Sequence, residues 1–270
     1  MPSIIWASAG ESHATADRRD ELESLSWVPL VVWAGPTHTD RGLERCEQIV
    51  ARARGDKKVT ASALTARATF EAGQGRFDEA RQSVGRARAL LEEVALVVWL
   101  AGPLAQFAGW VELLAGDPEA AERELRWGYD KLRDIGELSW LSTTEALLAD
   151  AVYLTGRPEE AEELSLAAEQ SAGAEDRYSH AIVRCVKGKI LVGRGDVDAG
   201  ARLAGEAVAL ADETDFSDLR WHTRIGYAGA LRSAGRVEEA SAVLAEAAEI
   251  AARKGNLVAA RRARGLLGQR

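Results

Sequence analysis

The chain has 270 residues, 47% of them hydrophobic and only 6% aromatic, with a formal net charge of -8. That hydrophobic share excludes a disordered chain, and the acidic balance argues against a phosphate-binding surface, which needs clustered Lys and Arg, so nucleic acid is not expected as a direct partner. Cys46 and Cys185 stand far apart and outside any CxxC pair, which gives neither a disulfide framework nor a zinc site.

In chain order, residues 1–14 lack the basic start and long apolar run of a secretory signal; they are expected to be flexible, and the location cytoplasmic. Asp17 to Ala34 and Asp40 to Arg54 read as two helices around Gly35-Pro36, an incomplete hairpin spanning residues 15–56. This hairpin carries Leu22, Leu25, Trp27, Leu30, Val31, Val32 and Trp33, more apolar surface than a polar terminal cap presents. Either an upstream repeat or a second copy of the chain is expected to cover it, the latter as a homodimer through residues 17–54.

From residue 57 to 255 the sequence repeats. Gly75, Gly116, Gly156, Gly195 and Gly235 recur at intervals of 41, 40, 39 and 40 residues. Small residues stand seven places before each (Ala68, Gly109, Ala149, Gly188, Ala228), five after (Ala80, Ala121, Ala161, Gly200, Ala240) and twelve after (Ala87, Gly128, Ala168, Ala207, Ala247). Each glycine ends one helix, and Pro118, Pro158 and the acidic pairs Asp78-Glu79, Glu159-Glu160 and Glu238-Glu239 begin the next. The first helices of the five units are predicted near 58–74, 97–115, 139–155, 177–194 and 217–234, and the second near 77–93, 118–135, 158–172, 197–213 and 237–254. Val94 to Val111 is apolar apart from Gln106, enough for a membrane span on hydropathy, but Pro103 and the register at Gly109 make it the most buried helix of a stack instead, and no membrane contact is expected. Leu257 to Leu267 should cap the array within residues 256–270. The predicted architecture is all-α: a right-handed superhelical solenoid of helical hairpins with a period near 40 residues.

Glycine, then an aromatic residue or proline, then alanine, with the flanking small positions, resembles the tetratricopeptide repeat from Ala68 to Ala247. The period exceeds the usual one of about 34 residues. More narrowly, Gly35-Pro-Thr, Arg45-Cys-Glu-Gln-Ile49, the stretch Val111 to Leu125 and Arg253-Lys-Gly-Asn256 before an Ala/Arg-rich helix are similar to the C-terminal helical region of large bacterial signalling proteins. Those proteins join a nucleotide cyclase or DNA-binding domain to an AAA-type ATPase, and neither the cyclase nor the ATPase is present here. The resemblance implies a non-catalytic interaction or regulatory module in bacterial signalling or transcriptional control. It binds a protein or peptide partner or, alternatively, senses a small-molecule effector in its concave groove. In the family the first helix of each unit lines that groove, 13, 10, 6 and 3 places before the glycine; the larger side chains at those places here are Thr69, Gln106, Trp110, Thr143, Asp150, Tyr153, Lys189, His222 and Arg232.

No phosphate loop, HExxH, GxSxG or paired Cys/His spacing occurs, so neither catalysis, metal nor cofactor is expected. His13, His38, His180 and His222 are scattered, and the acidic pairs at helix starts are explained by the helix dipole. Eight tryptophans exceed what alanine-rich repeats need; most are expected in the core, with Trp110 as a groove residue.

Overall fold

A computed structural model of the chain describes residues 3–268, with side chains from Arg18 onward. Its thirteen helices are α1 (Ser3–Ala34), α2 (Thr39–Ala53), α3 (Lys57–Gly73), α4 (Phe77–Glu93), α5 (Val97–Ala115), α6 (Pro118–Asp134), α7 (Leu141–Leu154), α8 (Pro158–Ser171), α9 (Arg177–Gly193), α10 (Val197–Asp212), α11 (Ser217–Ser233), α12 (Val237–Lys254) and α13 (Leu257–Leu267). Every helix except α1 begins and ends within two residues of its expected bounds. The backbone of α1 is helical from Ser3, where the sequence suggested a flexible segment up to residue 14. His13 lies outside the described side chains.

The five repeat glycines all adopt positive φ, between 74° and 91°, the left-handed conformation that ends a helix without a Cβ penalty. Three of the five following helices start with aspartate caps at Asp117 and Asp196 or with Pro118 and Pro158 in the first turn, and the other two with the acidic pairs Asp78-Glu79 and Glu238-Glu239. All fifteen small positions are buried. They are small because helix backbones meet there: a Cβ on Gly128 would stand 2.5 Å from the Ala101 carbonyl oxygen, and one on Gly200 2.8 Å from that of Gly188.

Within α5 the segment Leu100–Leu104 winds as a π-helical turn around Pro103. Proline has no N–H to donate, and the wider turn lets the helix continue past it. The bare backbone of Gly102 receives the Trp140 ring; a Cβ there would lie 2.6 Å from it. Val97–Ala115 is long and apolar enough to cross a membrane, yet 83% of that window is buried inside the fold.

The solenoid closes on itself. Lys254, at the end of α12, donates its ammonium to the main-chain carbonyls of Trp33 and Gly35, some 220 residues away in sequence. Thr39 returns a hydrogen bond to the Lys254 carbonyl at 3.0 Å. Asn256 packs against Gly73, and Arg262 of α13 donates to the carbonyls of Leu113 and Leu114 at the end of α5. The turn after α1 therefore meets the end of α12, α13 meets the end of α5, and the first helices of the repeats line the interior between them.

Two chambers form the candidate functional site

Trp110 divides this interior. On one side lies an aromatic chamber of about 680 Å³, walled by the end of α1, the Gly35–Thr37 turn, and residues of α5, α7, α9 and the turn before α11. Its rings brace one another: Trp27 stands 5.0 Å from Trp99 and stacks on Trp140 at 6.0 Å, Trp33 lies 4.5 Å from Phe107, and Tyr178 meets Phe216 edge-on at 5.8 Å. Gln106 contributes a carboxamide to the wall, but its nitrogen is engaged with the Trp140 carbonyl at 3.1 Å and Thr144 Oγ1 at 2.9 Å. Thr143 shares a hydrogen bond of 3.0 Å with Ser179.

Behind Trp110 lies a polar chamber of about 380 Å³, bordered by Asp150, Tyr153, Leu154, Lys189, Val192, Trp221, His222, Ile225 and Arg262. A neck of about 30 Å³ joins Trp110, Asp150, His222 and Arg262. The repeat explains this gathering. Thr69, Trp110, Asp150 and Lys189 all stand six places before their repeat glycines, so Asp150 and Lys189 are the same position in adjacent units, and their side chains pair at 2.6 Å. His222 stands thirteen places before Gly235, and superhelical closure brings its Nε2 within 3.1 Å of Asp150 Oδ2.

Asp150 is 1% exposed. Burial opposes its ionisation, but the Lys189 ammonium and His222 outweigh it and hold the carboxyl well below the usual carboxylate range. Burial in turn opposes the charge on Lys189, and the Asp150 carboxylate more than restores it. Burial, with the Asp218 and Asp150 carboxylates behind it, raises the Tyr178 hydroxyl in the aromatic chamber. The imidazole of His222 packs against both Trp110 and Trp221, at 5.2 Å and 5.7 Å between ring centres. Trp110 Nε1, Asp150 Oδ2 and His222 Nε2 are buried without a well-formed hydrogen bond among the described residues.

Of the nine residues expected on an open groove, Gln106, Trp110 and Thr143 border the aromatic chamber, and Asp150, Tyr153, Lys189 and His222 the polar one. Their exposure was misjudged: Gln106, Trp110 and Asp150 are buried against side chains of later units, Gln106 on Thr144, Trp110 on Trp221 and His222, and Asp150 on Lys189 and His222. Thr69 borders neither chamber; it is buried and donates to the Ala66 carbonyl. Arg232 donates instead to the Leu266 carbonyl, fastening α13. Trp33, Phe107, Trp140, Phe216, Trp221 and Arg262 were not anticipated at the site. The excess of tryptophan was the available signal for three of them.

No family model matches the sequence, and no curated protein matches it. Among solved structures, NprR in complex with its cognate peptide NprX is similar over 98% of this chain and 79% of its own, with a TM-score of 0.67 at 11% identity. BtubC (BKLC) from P. vanneervenii aligns over 79% of this chain and 88% of its own, with a TM-score of 0.52 at 17% identity. The signal transduction ATPase PH0952 from Pyrococcus horikoshii, which carries a tetratricopeptide repeat sensor, aligns over 83% of this chain and 33% of its own, with a TM-score of 0.50 at 18% identity. The chain has the tetratricopeptide-repeat fold. In this solenoid the longer period lengthens the helices, and the closed ends convert the groove into two chambers.

Proposed function

We propose that this tetratricopeptide solenoid is a non-catalytic regulatory module of bacterial signalling or transcriptional control, acting in the cytoplasm, whose aromatic chamber takes an apolar segment of a protein or peptide partner. The observation that carries the reading is the chamber itself: about 680 Å³ of aromatic-walled space whose rim includes Trp27, 40% exposed, and Val31, 68% exposed. Large rigid rings offer contact area at little entropic cost and are the side chains on which interface energy concentrates. The structural likeness to NprR, described with a bound peptide, supports a peptide as occupant.

The test is a titration of the whole chain with short peptides rich in leucine and phenylalanine, compared with the Trp27→Ala variant. The exposed half of Trp27 makes its loss tolerable to the fold, so the variant should stay helical and bind at least roughly tenfold more weakly, about 1.4 kcal/mol. Equal binding by both proteins, or none by the parent, would remove the aromatic chamber as the partner site. The small-molecule effector reading draws on the second chamber, whose lining brings Asp150, Lys189, His222 and Arg262 together.

A further inference from the structure

We infer that the polar chamber behind Trp110 binds a small α-amino carboxylate with an aliphatic side chain. This site is separate from the aromatic chamber and does not depend on what occupies it.

The first step concerns atoms that want partners. Trp110, 3% exposed, buries an indole N–H that donates to nothing, and Asp150, 1% exposed, buries an oxygen that accepts no well-aligned hydrogen bond. A buried polar group left unmade costs on the order of 1–3 kcal/mol, so such groups in a folded protein call for a ligand or ordered water. A neck of about 30 Å³ has room for one water, but the chamber it opens into is more than ten times larger and of the size that takes small molecules.

The second step concerns charge. Asp150 Oδ1 is taken by the Lys189 ammonium, leaving Oδ2 turned to His222 and the neck. Arg262 spends one nitrogen on the Leu113 and Leu114 carbonyls and pairs with no carboxylate among the described residues. The lining thus offers a guanidinium without a carboxylate partner among the described residues and an indole N–H, which suit a carboxylate, and a carboxylate oxygen, which suits an ammonium. A simple anion would leave Asp150 Oδ2 with only His222 beside it, and a simple cation would meet Lys189 and Arg262. A ligand with both signs on neighbouring atoms meets neither objection.

The third step concerns shape. Beyond the charged end, Leu154, Val192 and Ile225 line the chamber, and Gly229 leaves α11 bare on that side. An aliphatic side chain fills this end and removes its apolar surface from water. Each part of the ligand has a named counterpart: carboxylate to Arg262 and Trp110, ammonium to Asp150, side chain to Leu154, Val192 and Ile225.

Calorimetric titration of the whole chain with L-valine, L-leucine and L-isoleucine tests the assignment, with 4-methyl-2-oxopentanoate and leucinamide as comparators that lack the ammonium and the carboxylate. At least one amino acid should bind, and both comparators should bind at least roughly tenfold more weakly. Trp110→Phe keeps an aromatic ring while removing the N–H together with part of the indole, and Arg262→Gln shortens an exposed side chain at the cost of its bonds to the Leu113 and Leu114 carbonyls; both variants should fold, as circular dichroism would report. Both should weaken amino-acid binding, and Arg262→Lys should recover part of it. No binding of any of the three amino acids at millimolar concentration would overturn the assignment. So would comparators binding as well as leucine, or unchanged affinity in the two folded variants. Trp27→Ala, which tests the aromatic chamber, should leave amino-acid binding intact, so the two readings fail separately.

Discussion

Asp150 shows how strongly a single repeat position can be repurposed. The equivalent place in the first unit is Thr69, whose hydroxyl is satisfied by its own helix, whereas here a carboxylate is held 1% exposed by a lysine one unit on and a histidine two units on. Asp150→Asn leaves the Lys189 ammonium, itself only 20% exposed, without a counterion and should cost roughly 3 kcal/mol in urea denaturation. The Asp150 carboxyl titrates lower in the folded chain than in the unfolded one, where aspartate sits near about 3.9. Its stabilisation is therefore complete above that value and is lost as the pH falls below it. Midpoints followed from neutral pH into acid should fall less steeply for Asp150→Asn than for the parent; parallel curves would show that the carboxylate contributes nothing of this kind. Trp110 answers to a different mechanism. Packed against Trp221 at 5.8 Å and almost wholly buried, it should cost about 3–5 kcal/mol on truncation to alanine, so Trp110→Ala reports core loss before it reports binding.

At the level of helices, the repeat register was open to reading because small residues are a direct imprint of backbone approach. Ala161 and Ala240 are fully buried, and Leu in either place should overpack its hairpin by about 1–3 kcal/mol, visible as a lower denaturation midpoint. Gly128→Val is the harsher case, because its new carbons must enter space held by the Ala101 carbonyl and the Ala105 methyl, at 2.5 and 2.7 Å from the Cβ position. Helix ends were equally legible, since glycine and proline punctuate them for local reasons. What could not be read was tertiary. The seating of the Trp140 ring over Gly102 and the meeting of His222 with Asp150 across two units are contacts that no local pattern encodes. Exposed ion pairs between consecutive hairpins, such as Arg194 with Glu162, lace the outside but are largely solvated and add little each.

For the whole molecule, closure alters what the N-terminal hairpin is for. Much of the apolar surface that suggested a second copy is used within the chain: Leu25 is buried against α3, and Trp33 packs on Phe107 inside the aromatic chamber. Trp27 and Val31 keep substantial exposure, a small patch for a stable dimer. Light scattering at micromolar concentration should therefore find a monomer, and a dimer lost in the Val31→Asp variant would restore the pairing through residues 17–54. The fastening of Lys254 to the turn after α1 has a consequence for how the array comes apart. Linear repeat arrays fray independently at either end, because each unit leans only on its neighbours. Here the two ends share bonds, so neither can open alone. Amide exchange in α2 and in α13 should slow and quicken together, and Lys254→Met should accelerate both by similar factors. The array would then melt as a hoop does when its clasp is undone, from the join outwards in both directions.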